Sequence, residues 1–136
     1  MDKRQLYKTE SGKNVMDFVQ AFSTICKVND FTINNTDNMN MASSFAAHGV
    51  SVPDHFDLHM MQVCKPLKAS KSLFTNPERS VLMPKFVMVF SINGKTQIRY
   101  LSHDREEVGS LIDDQEFPES LAQTAEKIRS MIDEAC

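Results

Sequence analysis

Cys64-Lys65-Pro66 is the segment of this 136-residue chain where side-chain type and spacing come nearest to chemistry. A strand pattern, Phe56 to Val63, runs into it, and a helical pattern, Pro66 to Phe74, runs out of it. A cysteine just before a helix has its thiolate favoured by the first-turn N–H groups, and here by Lys65 as well. That setting defines one functional reading, a thiol-dependent or redox enzyme using Cys64. The plainer reading carries more weight: a small hydrophobe filling a tight corner, since free cysteine is among the most buried residue types. Lys65 and Lys68, with Lys85 at the start of the next strand, could hold a phosphate or carboxylate at the helix N-terminus. No glycine-rich approach precedes them, however, and Pro66 removes one N–H donor, so a solvated lysine face is the simpler expectation.

Two other chemistries fit the residues less well. His59, Met60, Met61 and Cys64 are soft-metal or haem ligands by type. Strand alternation puts His59 and Met61 on one side and Met60 and Cys64 on the other, the last two ~13 Å apart along the strand. They cannot share one ion without a bulge or a second chain, so no metal and no cofactor is expected. The methionines, nine in all, read as gap-fillers in a core or subunit contact. His48, His55, His59 and His103 stand at no spacing diagnostic of a triad, a zinc motif or a phosphate loop. Asp113, Asp114 and Glu116 lack the interleaved Asp/Asn and Gly of a calcium loop and read as a solvated acidic turn.

Composition limits the remaining classes. With 41% hydrophobic and 24% charged residues the chain is an ordinary globular sequence, expected to form a single domain over 1–136. A net charge of −3 gives no general electrostatic reason to bind nucleic acid or anionic membrane. Three scattered cysteines without a C-x-x-C argue for a reducing compartment. Met1-Asp2-Lys3-Arg4 is followed by no apolar run, and the longest such run, Phe86 to Phe90, is far below the ~20 residues of a membrane helix. The expected location is cytoplasmic.

The elements that position the Cys64 corner follow from periodicity. Gln5 to Thr9 reads as a first strand. Val15, Phe18, Val19, Phe22, Ile25 and Cys26 form the stripe of an amphipathic helix, with Asn14 or Ser11 as its cap and Asn29-Asp30 as its stop. Phe31-Thr32-Ile33 is a brief strand, and Met39 to Val52 fits a small helix or loop between strands. The helix Pro66 to Phe74 is expected to bury Leu67, Leu73 and Phe74 and to point Lys68, Lys71 and Ser72 outward, with Asn76-Pro77 ending it. Asn93-Gly94 between Phe86–Ile92 and Lys95–Leu101 specifies a type I′ hairpin pairing Val89 with Ile98 and Val87 with Tyr100. The other face of that hairpin carries Phe86, Met88, Phe90 and Leu101 beside Gln97 and Arg99. It is apolar enough to need a cover, from the chain itself or from a second subunit. His103 to Asp114 is an acidic segment, partly helical. Pro118 then opens a last helix whose stripe is Leu121, Ala125, Ile128, Met131 and Ile132.

Several of these residues resemble a small family, the domain of unknown function number 302. Its recurring features are a strand ending in Cys-Asn-Pro, a helix with Ala and Leu, then Leu-Pro-Cys and a hairpin. Here they stand as Cys64-Lys65-Pro66, Leu67 to Leu73 with Ala69, and Met83-Pro84-Lys85 leading into Phe86 to Tyr100. The likeness follows element order over about residues 14 to 134 and reaches motif level over residues 60 to 101. It implies an α+β fold of two layers, an antiparallel sheet of four to six strands with an early and a C-terminal helix on one face. Such domains look like TATA-binding-protein-like half-saddles, which carries no implication of DNA binding. It also implies self-association as a homodimer or higher oligomer. Lys65 replaces the family's Asn and Lys85 its second Cys, so any paired-thiol role is in doubt, and Cys64, Pro66 and Pro84 are the residues that match. The expectation is a non-enzymatic ligand-binding or interaction module that self-associates. A small-molecule ligand would be contacted by Cys64, Lys65, Pro66, Pro84 and Lys85.

Overall fold

The computed structural model describes residues 4–136. The elements are β1 (Arg4–Ser11), α1 (Val15–Val28), β2 (Thr32–Ile33), α2 (Met41–Ala47), β3 (His59–Cys64), α3 (Pro66–Thr75), a 3-10 turn (Pro77–Leu82), β4 (Lys85–Ile92), β5 (Lys95–His103), α4 (Arg105–Leu111) and α5 (Phe117–Ala135). The five strands form one antiparallel sheet in the order β1-β5-β4-β3-β2. Helices α1 and α5 pack on one face, as the α+β reading of the sequence required.

Periodicity explains the core. The α1 stripe of Val15, Phe18, Val19, Phe22 and Cys26 is buried, with the Phe18 and Phe22 rings 5.8 Å apart. It meets Met61, Val63, Val87, Val89, Ile98 and Tyr100 from the inner sheet face and Ile128, Met131 and Ile132 from α5. Asn14 caps α1 by accepting from the Asp17 N–H at 2.8 Å, and Asp30, at φ 63°, turns the chain away after it. At the β4–β5 turn Asn93 and Gly94 both have positive φ, 52° and 77°, and Val89 pairs with Ile98 and Val87 with Tyr100. That is the register a two-residue type I′ loop dictates.

Three local expectations need correction. The strand begins at His59 rather than Phe56, because Leu58 C=O accepts from the Met41 N–H and holds the preceding loop against α2. Helix α3 does not bury Leu67 and Phe74: they are 74% and 86% exposed, while Leu73 is half-buried. Lys68 and Ser72 turn inward instead, each to a polar partner. The acidic turn is not simply solvated. Asp114 is bound bidentately by Arg79 (Nε–Oδ2 2.6 Å, Nη2–Oδ1 3.0 Å), and both side chains are under a tenth exposed.

That pair ties three elements together. Arg79 also donates to Ser72 Oγ at 3.0 Å and lies over the Phe117 ring. Asp114 accepts from Asn76 Nδ2 and from the Glu116 and Phe117 N–H groups at the start of α5. Around it Val108, Ile112, Phe117 and Leu121 form a second apolar cluster under α4, which Asp104 caps.

The Arg79 and Asn76 hydrogen bonds hold the Asp114 carboxyl far below the usual carboxylate range. A carboxyl depressed on folding stabilises the fold above its unfolded pKa of about 4, and that contribution is lost as pH falls below it. Asp114→Ala should lower unfolding free energy by about 3–5 kcal/mol in urea titrations at pH 7, because it strands a buried guanidinium. The variant should also lose the wild type's additional destabilisation below pH 4.

Candidate functional site

Pro66 opens α3, and no side chain caps the helix's first turn. Because Pro66 has no N–H of its own, the chain can turn sharply out of β3 at Cys64-Lys65 without leaving that donor unsatisfied. This corner sets Lys65 and Lys68 one helical turn apart and lets Lys68 reach α5. In β4, residues 85, 87 and 89 share the inward side, so Lys85 enters the layer between sheet and helices where Val87 and Val89 are fully buried.

The three lysines line one small cavity between α3, α5 and β4. Its enclosed volume is about 20 Å³, room for one water, and it opens to solvent on one side. Ser72, Ser120 and Thr124 supply hydroxyls; Met83, Phe117 and Leu121 supply the apolar wall. Lys68 Nζ donates to Ser120 C=O at 3.1 Å and Thr124 Oγ1 at 2.7 Å. Lys85 Nζ donates to Met83 C=O at 2.9 Å. Lys65 Nζ stands 5.3 Å from the centroid of the Phe31 ring. Among the described residues no carboxylate forms an ion pair with any of the three.

Electrostatics follow from that arrangement. Burial pulls the Lys85 pKa down to about 8, and the Lys68 ammonium adds to the shift. Burial lowers Lys68 too, with Lys65 as the second cause. Close like charges and missing water favour the neutral amine. An anion entering the cavity would reverse both effects.

Of the residues singled out in the sequence, Lys65 and Lys85 line this cavity, while Cys64 and Pro66 form the corner behind it. Pro84 lines an adjoining cavity shared with Lys85, Tyr100 and Ser102. Cys64 is half-buried, and its C=O accepts from Thr32 Oγ1 at 3.3 Å. Cys26 is buried, and loss of water pushes its thiol up to about 12. Lys68, grouped in the sequence with Lys65 and Lys85 as a possible anion holder but expected to point outward, turns inward, and Ser120 and Thr124 were missed as site residues. Their signal was the hydroxyl pair spaced i, i+4 beside the apolar stripe of α5, a polar track with no reason to face water. His59 is buried, with its ring Nδ1 3.0 Å from Asp57 C=O. Among the described residues no three His, Cys, Asp or Glu side chains gather as a metal site.

The model of the domain of unknown function DUF302 matches residues 7–135. This chain belongs to the DUF302 family. It is similar over 96% of its length to the crystal structure of an uncharacterized conserved DUF302 protein from Bacillus stearothermophilus, with a TM-score of 0.76 and 15% identity, covering 98% of that chain. At that identity the likeness establishes the shared fold. No curated protein matches. Among the described residues of this DUF302 chain, no helix is long and apolar enough to cross a membrane.

The half-buried Lys85 has a pH consequence. Its pKa falls on folding from the ordinary 10.5 to about 8, so above pH 8 the unfolded chain binds more protons and stability rises with pH. Between pH 7 and pH 9 that rise should be about 1 kcal/mol by denaturant titration, and Lys85→Met should abolish it. At higher pH the buried Cys26 and Tyr100, both raised to about 12, act in the opposite direction.

Proposed function

We propose that this protein is a non-enzymatic binding module, a single unit over 1–136, that takes a small acidic ligand at the cavity of Lys65, Lys68 and Lys85. The observation carrying this reading is the convergence of three lysines on one cavity without a carboxylate to neutralise them. Buried or half-buried cations are normally paired. A site that holds ammonium groups together unpaired stores repulsion that an entering carboxylate or phosphate relieves. Lys68 retains one N–H beyond its two bonds and Lys85 two, while Ser72 Oγ accepts from Arg79 and so keeps its own proton to donate. The donor set fits a small anionic group, and the apolar wall fits a short carbon chain. Cys64 and Pro66 serve as the corner that aims the lysines. The cytoplasm, where small organic acids and phosphates abound, is the compartment this reading suits.

The module self-associates through the open face of its sheet. That face carries Met60, Gln62, Phe86, Met88, Phe90, Leu101 and Leu6, with the last two about half exposed. Phe90 is covered by the Arg99 guanidinium, 5.5 Å from its centroid. Five strands of this length present roughly 500–600 Å² a side, enough to clear the ~1,000 Å² total of a specific interface. Lys8 and Glu10 lie on the same edge strand, so a two-fold axis can set each against its opposite in a second copy.

Calorimetric titration with inorganic phosphate and with pyruvate tests the ligand site. Binding should weaken about tenfold or more in Lys68→Ala, since one charged hydrogen bond is worth about 1.5–3 kcal/mol. Undetectable binding of every small acid to folded wild type would overturn the reading. Self-association is checked separately by sedimentation: Met88→Lys should convert a dimer to monomer, and a wild type monomeric at high micromolar concentration would exclude the dimer.

A further inference from the structure

We infer that Lys85 is a carbonyl-capturing amine, forming a reversible Schiff base with small 2-oxo carboxylic acids whose carboxylate is held by Lys65 and Lys68. This rests on the acidic-ligand reading above and extends it from binding to covalent chemistry. Three features of the cavity carry it. The Lys85 amine is drawn out of water into a layer walled by Met83 and Leu121, and its one protein partner is the Met83 carbonyl. A carbonyl acceptor leaves the nitrogen lone pair of a neutral amine unused. Two further lysines line the same cavity, and one of them, Lys68, fixed by Ser120 and Thr124, sets its ammonium against Lys85, whose own charge goes unpaired. Desolvation beside a second cation is the arrangement that makes a lysine nucleophilic near neutral pH. The lowered pKa of Lys85 agrees with it.

Size narrows the ligand class. The enclosed room of about 20 Å³ admits a keto group, while the open side leaves the carboxylate near Lys65 and Lys68. In the step itself the neutral Lys85 Nζ forms a bond to the keto carbon, and one of its protons passes to the carbonyl oxygen to give a carbinolamine. The C–O bond then breaks, the oxygen leaves as water with the second amine proton, and the nitrogen keeps a C=N bond. One water is released, no oxidation state changes, and hydrolysis reverses the step. Lys68 is a positioning residue: it holds the carboxylate and its ammonium discourages protonation of Lys85.

The test is incubation of the full chain with pyruvate and cyanoborohydride, followed by intact mass and peptide mapping. Lactate binding by calorimetry serves as the parallel control, because lactate has the carboxylate but no carbonyl. The expected result is a single reduced pyruvate adduct at Lys85. It should form on the order of tenfold or more faster than on other lysines at pH 7.5 and speed up between pH 7 and pH 8. Lys85→Arg, folded by circular dichroism, should give no adduct. Lactate and pyruvate binding without an adduct would overturn the Schiff base and leave the anion site standing. Neither binding nor adduct would remove both, and equal labelling of surface lysines would also overturn the Schiff base.

Discussion

Helix α3 is held in place by polar bonds, because it buries no side chain completely. Amphipathic helices normally dock by their apolar stripe, and α1 and α5 do so here. In α3 the apolar residues Leu67 and Phe74 face water, and the inward side is Lys68, Ala69 and Ser72. Its position is fixed at one end by Lys68 gripping Ser120 and Thr124, and at the other by Arg79 joining Ser72 to Asp114. Such bonds are directional, so they set the helix at one distance from α5 and leave a gap where side chains do not interdigitate. The lysine cavity is that gap. A conventionally packed α3 would have filled it with leucine.

The same clamp accounts for what lay beyond the reach of the sequence. The β4–β5 register, α1 and α5 were legible because each is written in a local period or turn signal: Asn93-Gly94, the stripe from Val15 to Cys26, the stripe from Leu121 to Ile132. Helix α3 carries a misleading local signal. Leu67, Leu73 and Phe74 look like a buried face, and only the bonds Lys68 and Arg79 make to distant residues reverse it. Asp114 was likewise read as part of a solvated turn, since nothing near it in sequence announces Arg79, 35 residues earlier. Lys65 and Lys85 could be placed near the corner by strand ends and helix starts. The sequence also grouped Lys68 with them as a possible anion holder, but that the three enclose one cavity with Ser120 and Thr124 is a tertiary fact, set by the docking of α5.

The contrast between buried Arg79 and half-buried Lys85 bears on function. Arg79 has a bidentate carboxylate, a hydroxyl and an aromatic ring, and its charge is satisfied within the fold. Lys85 has one backbone carbonyl. By position it belongs with Val87 and Val89, and a valine or leucine there would remove the desolvation cost and add apolar burial. A structural cation brings its counter-charge with it, as Arg79 does; Lys85 costs stability below its unfolded pKa, in full below pH 8, and has the Lys68 ammonium beside it. The proposed site accounts for that cost, since its counter-charge or reaction partner would come from outside the chain. On that physical ground the site is read from Lys85 outward, with Lys68 and Lys65 as its electrostatic frame and Cys64-Lys65-Pro66 as the bend that makes the frame converge.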